Sequence, residues 1–277
     1  MNCVHRLWQV LASVTLALMP LAVDAGSTGG ESEGAREGRH ALIIGVGRYR
    51  ADPARPVEPL RGVPRDMTSA RTMASLLQVP SANIVQLQDE QATRQRIVDA
   101  LADLRRRVQP GDRVFIYWSG HGSRFFDPQA SACVETLIPY DLKDFTYREF
   151  AELIKPIGDV ADKLFVVYDA CHSGGAATPA ARSLAGFRPK TSGVPAQCNV
   201  PSNVRWRSFE GAARDAGLGI GDVVHIASSR PDEVSFDHPD IGGLATDSLR
   251  RCMQGEAHDV DGSGAVSAAE LVRCAQR

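Results

Sequence analysis

Four features are missing from this 277-residue sequence, and each absence narrows what the chain can do. Charge of neither sign is in excess: 31 Lys and Arg stand against 33 Asp and Glu, a formal −2. That balance gives no electrostatic reason to expect nucleic acid or an acidic membrane surface as the main partner. No internal repeat is present, which removes solenoid and propeller arrays. Neither Ser119 nor Ser173 lies in a Gly-x-Ser-x-Gly elbow, which argues against a serine hydrolase. No unbroken apolar run is long enough to span a bilayer. The nearest candidate, Leu7 to Leu21, is short and interrupted by Ser13, Thr15 and Pro20.

That N-terminal segment reads as an address. His5 and Arg6 precede it, and Val23-Asp24-Ala25 offers small residues for cleavage before Gly26. The pattern is that of a secretory signal peptide over residues 1–25, with an uncleaved membrane anchor as the competing reading. Export would place the protein in a periplasm or outside the cell, with no stable membrane insertion after cleavage. It also changes how the cysteines are counted. Removal of Cys3 leaves Cys133, Cys171, Cys198, Cys252 and Cys274, an odd number in an oxidising compartment, where the odd thiol is either an intermolecular partner or reactive. The simplest arrangement pairs four and keeps Cys171 as a thiol. Four cysteines allow three pairings, of which Cys133 with Cys198 and Cys252 with Cys274 is preferred.

With 43% hydrophobic content the chain can bury a substantial core. Residues 26–38 are rich in Gly, Ser and Glu and read as a flexible leader. Beyond it, strands are expected at His40 to Val46, Ile84 to Leu87, Val114 to Trp118, Leu164 to Tyr168 and Val223 to Ser228. Helices are expected at Arg65 to Gln78, Thr93 to Val108, Tyr147 to Ile157, Asp247 to Gln254 and Ala268 to Ala275. Strand and helix alternate, which predicts an α/β fold: a mostly parallel sheet with helices on both faces. Residues 39–256 would form this domain. Residues 176–214 carry Pro, Gly, Ser and Arg without a period and read as a long exposed loop, a candidate processing region containing Arg182, Arg188, Lys190, Arg205 and Arg207.

Two of the expected strands end in chemistry. Leu164 to Tyr168 runs into Asp169-Ala170-Cys171-His172-Ser173-Gly174-Gly175, and fifty positions upstream Val114 to Trp118 runs into Ser119-Gly120-His121-Gly122. Parallel strands of one sheet would deliver both groups to the same C-terminal edge, where open α/β sheets place their ligands. A nucleophilic thiol needs a nearby imidazole and backbone N–H donors aimed at the developing oxyanion. Cys171 with His121 supplies the first; the N–H groups of Gly122 and Cys171 are candidates for the second. Taken singly, each residue also suits a buried structural role.

These two motifs resemble those of metacaspases and their bacterial caspase-like relatives, over roughly His40 to Gln276. The resemblance implies a caspase–hemoglobinase fold and cysteine endopeptidase activity, with His121 as base and Cys171 as nucleophile and no cofactor needed for the chemistry. It also implies a pocket for Arg or Lys before the scissile bond, formed by Asp66, Ser119 and Asp169, and therefore peptide or protein substrates with a basic residue there. Val63 stands where metacaspases often carry Cys. Thr178 and Tyr147-Arg148 stand where the family's own calcium site would need carboxylates, so that site is expected to be absent. A non-catalytic, calcium-stabilised scaffold on the same fold is the alternative.

Residues 257–277 hold a separate signal. Asp259, Asp261, Ser263, Gly264, Ala265 and Glu270 fall on positions 1, 3, 5, 6, 7 and 12 of an EF-hand loop. There Asp259, Asp261, Ser263, Glu270 and the carbonyl of Ala265 would ligate Ca2+, and Gly264 would supply the turn. A structural loop without useful affinity fits the same pattern.

Overall fold

The computed structural model describes residues 38–129, 131–171, 186–193, 198, 223–228 and 234–277. The expected signal peptide, most of the leader, residues 172–175, Thr178 and much of 176–214 lie outside the described residues.

The frame is a five-stranded sheet. Its strands are β1 (Arg39–Gly45), β2 (Ile84–Gln88), β3 (Arg113–Ser119), β7 (Lys163–Asp169) and β9 (Val223–Ala227). They lie in the order β2-β1-β3-β7-β9, and every pair is parallel. The sequence shows why both faces are covered. Runs such as Ala41-Leu42-Ile43-Ile44 and Val114 to Trp118 are apolar at consecutive positions, so alternate side chains on both faces must be buried. Leu42, Ile44, Ile116 and Trp118 pack in one cluster with α2 (Arg94–Arg107) and α3 (Tyr147–Gly158). Ala41, Ile43, Phe115 and Tyr117 pack in another with α1 (Val63–Leu76) and α4 (Leu244–Arg251).

Local signals set the helix starts. The Thr93 side chain accepts the N–H of Arg96. Thr146 and Glu149 form a reciprocal capping box, satisfying two donors that a helix start leaves open. The expected helix from Asp247 instead begins at Leu244, and Gly255 with φ 124° ends the widened turn Cys252–Glu256 that follows it. A final helix, α5, spans Ala268–Ala275.

Three features depart from the expected pattern. The chain after His121 returns as an antiparallel hairpin, β4 (Gly122–Asp127) with β5 (Ala132–Leu137), joined by the short β6 (Phe145–Thr146). Only Thr136-Leu137, at the end of β5, belongs to a run that reads as extended in the sequence (Thr136 to Pro139); elsewhere apolar residues are too interspersed with polar ones to signal strands. The stretch expected as exposed loop contains β8 (Arg188–Pro189), which pairs antiparallel with β10 (Phe236–His238), itself paired with β11 (Gly242–Gly243). Lys190 and Cys198 in that stretch are buried, because a charge pocket and a disulfide hold them inside. The disulfides are Cys133–Cys198 and Cys252–Cys274, and Cys171 is in neither.

Phe150 sits edge-on to Trp118, Phe145 and Tyr168 and is fully buried. Phe150→Ala should therefore cost about 3–5 kcal/mol, read as a lower urea midpoint with an unchanged slope.

Candidate active site

Everything at the site follows from strand register. In the β3–β7 pairing, Ser119 lies opposite Asp169, the last residue of each strand. Both side chains are buried at the C-terminal edge. Two residues further along each chain come His121 and Cys171, also buried. The backbone between is tied across the edge, where the Gly120 N–H donates to the Asp169 carbonyl (3.2 Å).

His121 is oriented by the Pro-rich loop before α1. Its Nε2 lies 2.8 Å from the carbonyl oxygen of Glu58, and its backbone N–H donates to the Tyr49 hydroxyl (2.7 Å). A carbonyl only accepts, so Nε2 must carry the proton of the neutral ring, which leaves the lone pair on Nδ1. Nδ1 has no hydrogen-bond partner among the described residues. Burial draws the imidazole down to about 4, and the nearby Lys190 charge adds to the effect. At neutral pH the ring is therefore a base.

The pocket beside this pair is filled by the protein's own chain. The Lys190 ammonium donates to Asp66 Oδ2 (2.7 Å) and Ser119 Oγ (2.9 Å), and stands 2.9 Å from Asp169 Oδ2. Two hydrogen bonds and a close ion pair thus meet the buried ammonium. Asp66 is in the first turn of α1, where it could have been a solvated helix-dipole partner; instead it is fully buried. Its other oxygen accepts the Gly243 N–H (2.7 Å). Asp169 is held by the Ser235 hydroxyl (2.8 Å) and the Thr246 hydroxyl (2.5 Å). A Cβ on Gly243 would sit 2.6 Å from the Lys190 nitrogen and would clash with Asp169. Only glycine leaves room there. Burial pushes the Asp66 carboxyl up to about 6, against the pull of Lys190. Burial favours a neutral amine at Lys190, but Asp169 and Asp66 outweigh it and hold the group above the usual lysine value.

The backbone of this segment is seated just as closely. The Lys190 carbonyl oxygen accepts from the N–H of Gly122 (3.0 Å) and the N–H of Cys171 (3.0 Å), the two donors proposed from sequence for an oxyanion. The Lys190 N–H donates to the Ser235 carbonyl (2.9 Å), and the Ser192 N–H to the Gly122 carbonyl (3.0 Å). Arg188 and Pro189 extend the contact by pairing with β10. Residues 188–193 thus lie along the site as an added strand, the geometry of peptide recognition by β-augmentation.

A family model described as the caspase domain matches residues 38–276. The chain belongs to the caspase-domain family. Among curated relatives of this caspase domain, metacaspase-1 of Mycosarcoma maydis is 31% identical over 149 residues, covering 49% of this chain and 36% of that protein. Metacaspase-1 of Eremothecium gossypii is 26% identical over 227 residues, covering 77% and 48%. The chain spans about half or less of the length of these relatives. Among solved structures, protein GSU0716 from Geobacter sulfurreducens superposes with a TM-score of 0.57 at 18% identity, covering 86% and 87% of the two chains, a likeness of fold.

Several contributors to the caspase-domain site were not visible in the sequence: Tyr49, the Glu58 carbonyl, Ser235, Thr246 and Gly242–Gly243. They come from loops far away in the chain and carry no local motif. Asp237 is another. It is buried, accepts the Gly62 N–H (2.9 Å) through one oxygen, and is pushed up by burial against the attraction of Lys190.

Away from this edge, Asp259, Asp261 and Glu270 bring carboxylate oxygens within 4.8 Å of one another. All are hard oxygen donors of the kind calcium takes. Backbone N–H groups of Ser267 and Val260 draw Glu270 down to about 2, so it is ionised. Asp259 accepts from the N–H of Ser263 and Gly264, while the Ser263 hydroxyl donates to the Ala265 carbonyl. The Cys252–Cys274 disulfide ties the turn after α4 to α5 across this loop.

If the ammonium of Lys190 is what holds the segment over Cys171, then Lys190→Ala should expose the thiol. Iodoacetamide should alkylate Cys171 at least about tenfold faster in the variant, a change that needs only about 1.4 kcal/mol of weakened closure; mass spectrometry of the labelled peptide gives the rate.

Proposed function

We propose that this chain is a cysteine endopeptidase that cuts peptide bonds after Lys or Arg. One observation carries the reading: Lys190 sits with its ammonium between Asp66 and Asp169 and its carbonyl on the Gly122 and Cys171 amides. That is the pose a substrate residue before a scissile bond would need, and the family relationship supplies the chemistry. Cys171 passes its proton to Nδ1 of His121 and attacks the carbonyl carbon. The two amides stabilise the oxyanion, each such donor being worth about 3–4 kcal/mol. His121 then protonates the leaving amine, and water hydrolyses the thioester. The first bond of this kind offered to the enzyme is its own Lys190–Thr191.

Two further parts of the reading rest on other features. Two disulfides together with the N-terminal segment fit an exported protein in a periplasm or outside the cell. The Asp259, Asp261, Ser263, Ala265 and Glu270 loop fits Ca2+ as a stabilising and modulating ion, with extracellular calcium high enough to fill a weak single site.

Peptides with Lys or Arg before the cleaved bond should be turned over at least about a hundredfold faster than Asp peptides, since a third carboxylate among Asp66 and Asp169 would be repelled by several kcal/mol. The pH dependence has a definite sign. A proton on Asp66 competes with the substrate cation, so KM for a Lys peptide should rise as pH falls through about 6. Removing the bound ammonium takes away an attraction that lowers this group, so the rise starts at or above that value. Asp66→Asn should show a high, pH-independent KM; steady-state kinetics from pH 5 to 8 check both.

For the calcium loop, titration calorimetry of the whole protein should show heat of binding in wild type and none in Glu270→Gln. Binding should also raise the melting temperature of wild type alone.

A further inference from the structure

The segment that fills the cleft is tied down on the far side of its basic residue. Cys198 follows Thr191 by seven positions and is disulfide-bonded to Cys133. Cys133 lies on β5 opposite Phe126 of β4, and β4 starts at Gly122, the residue whose N–H holds the Lys190 carbonyl. Thr191 itself bridges to Gly122. The leaving side of the Lys190–Thr191 bond is therefore anchored, covalently and by the sheet, to the strand that supplies an oxyanion donor. The acyl side is anchored too, through the Lys190 ammonium and its N–H on Ser235.

This arrangement decides what happens after the first chemical step, if the endopeptidase reading above holds. Attack by Cys171 on Lys190 forms a thioester and releases the amine of Thr191. An ordinary leaving group diffuses away before water arrives. Here the amine stays within a short loop of the thioester, at an effective concentration in the millimolar range or above. We propose that the enzyme re-forms its own Lys190–Thr191 bond, and that the Cys133–Cys198 disulfide makes it do so. The Thr191 nitrogen attacks the thioester carbonyl, the C–S bond breaks, and the thiolate of Cys171 departs. His121 takes the proton that the new amide nitrogen loses and passes it to the Cys171 thiolate. This is acylation run backwards; it consumes nothing and requires no other reactant. With the disulfide in place the cleft refills with each cycle. Once thiol–disulfide exchange with an external dithiol, itself oxidised to a disulfide, has reduced that bond to two thiols, the amine is free to leave, water completes the hydrolysis, and the site opens to other substrates. The device is a self-ligating plug whose release is reductive.

The test uses the whole protein without reductant and follows chains ending at Lys190 by mass spectrometry. Four proteins are compared with wild type: Cys133→Ser/Cys198→Ser, the control Cys252→Ser/Cys274→Ser, Cys171→Ala, and a chain with twelve Gly-Ser residues inserted between Gly193 and Val194 with both disulfides intact. The insertion guards against a cysteine variant that fails to fold. The first variant should accumulate cut chain about tenfold faster than wild type or more, and the insertion about fourfold faster, as effective concentration falls with tether length. The control should match wild type, and Cys171→Ala should stay intact. Added hydroxylamine captures a thioester before it can revert, so wild type should yield the Lys190 hydroxamate at the rate at which the untethered variant is cut. No hydroxamate from wild type, with the variant still cut, would mean that acylation is blocked rather than reversed, and would overturn the proposal. Equal cutting in wild type, variant and insertion would overturn it while leaving self-cleavage intact. If Lys peptides are hydrolysed but no protein yields cut chain or hydroxamate, the self-cleavage reading falls and this inference falls with it.

Discussion

An ammonium removed from water must find opposite charge within hydrogen-bonding distance, and the fold around this site is arranged so that Lys190 does. Two carboxylates from different elements, Asp66 at the start of α1 and Asp169 at the end of β7, meet at one nitrogen, with Ser119 completing the set. None of the three charges would be tolerated there alone, since an unpaired buried ion costs several kcal/mol. Their mutual dependence places α1, the sheet edge, the β10–β11 loop and the 188–193 segment in fixed relation. It also shapes the titration of the pocket, because Lys190 draws the Asp66 carboxyl down against the larger upward push of burial.

The candidate pair His121 and Cys171 depends on the same frame. His121 and Cys171 gain their positions from parallel pairing of β3 and β7, which aligns Ser119 with Asp169 and carries both chains out of the sheet together. The rest is done by backbone. The Glu58 carbonyl selects the tautomer of His121, and the amides of Gly122 and Cys171 converge on one oxygen. The Cys133–Cys198 disulfide then closes the hairpin that begins at Gly122 onto the segment that occupies the cleft. The charge pocket, His121 with Cys171, and the Cys133–Cys198 bond thus gather at one edge of one sheet.

Periodicity in the sequence located the five parallel strands and the principal helices, because parallel strands buried on both faces are written as unbroken apolar runs and α2 and α3 carry clear apolar stripes. It did not reveal the β4–β5 hairpin or β8, β10 and β11. Gly122 to Asp127 has charged and aromatic residues without a clean alternation, and Arg188–Pro189 is strand only because Phe236–His238 lies beside it. The 176–214 stretch reads as an exposed loop because Pro, Gly, Ser and Arg recur there without a period. Lys190 is an exception that no local pattern marks, and its burial follows from two carboxylates on other elements, Asp66 of α1 and Asp169 of β7.

By itself the sequence determined which residue types stand at the strand ends. It placed a thiol, an imidazole, a serine and an aspartate after two apolar runs, together with an acidic residue at the start of a helix and six cysteines along the chain. These are local facts, set by composition and spacing along one dimension. Only the tertiary structure decided which of several basic residues enters the pocket, which of three disulfide pairings forms, and which nitrogen of His121 carries the proton. Each of those choices is a matter of distance between groups remote in sequence. Short-range forces such as hydrogen bonds, buried ion pairs and disulfide bonds act only once the fold has brought those groups within a few ångströms.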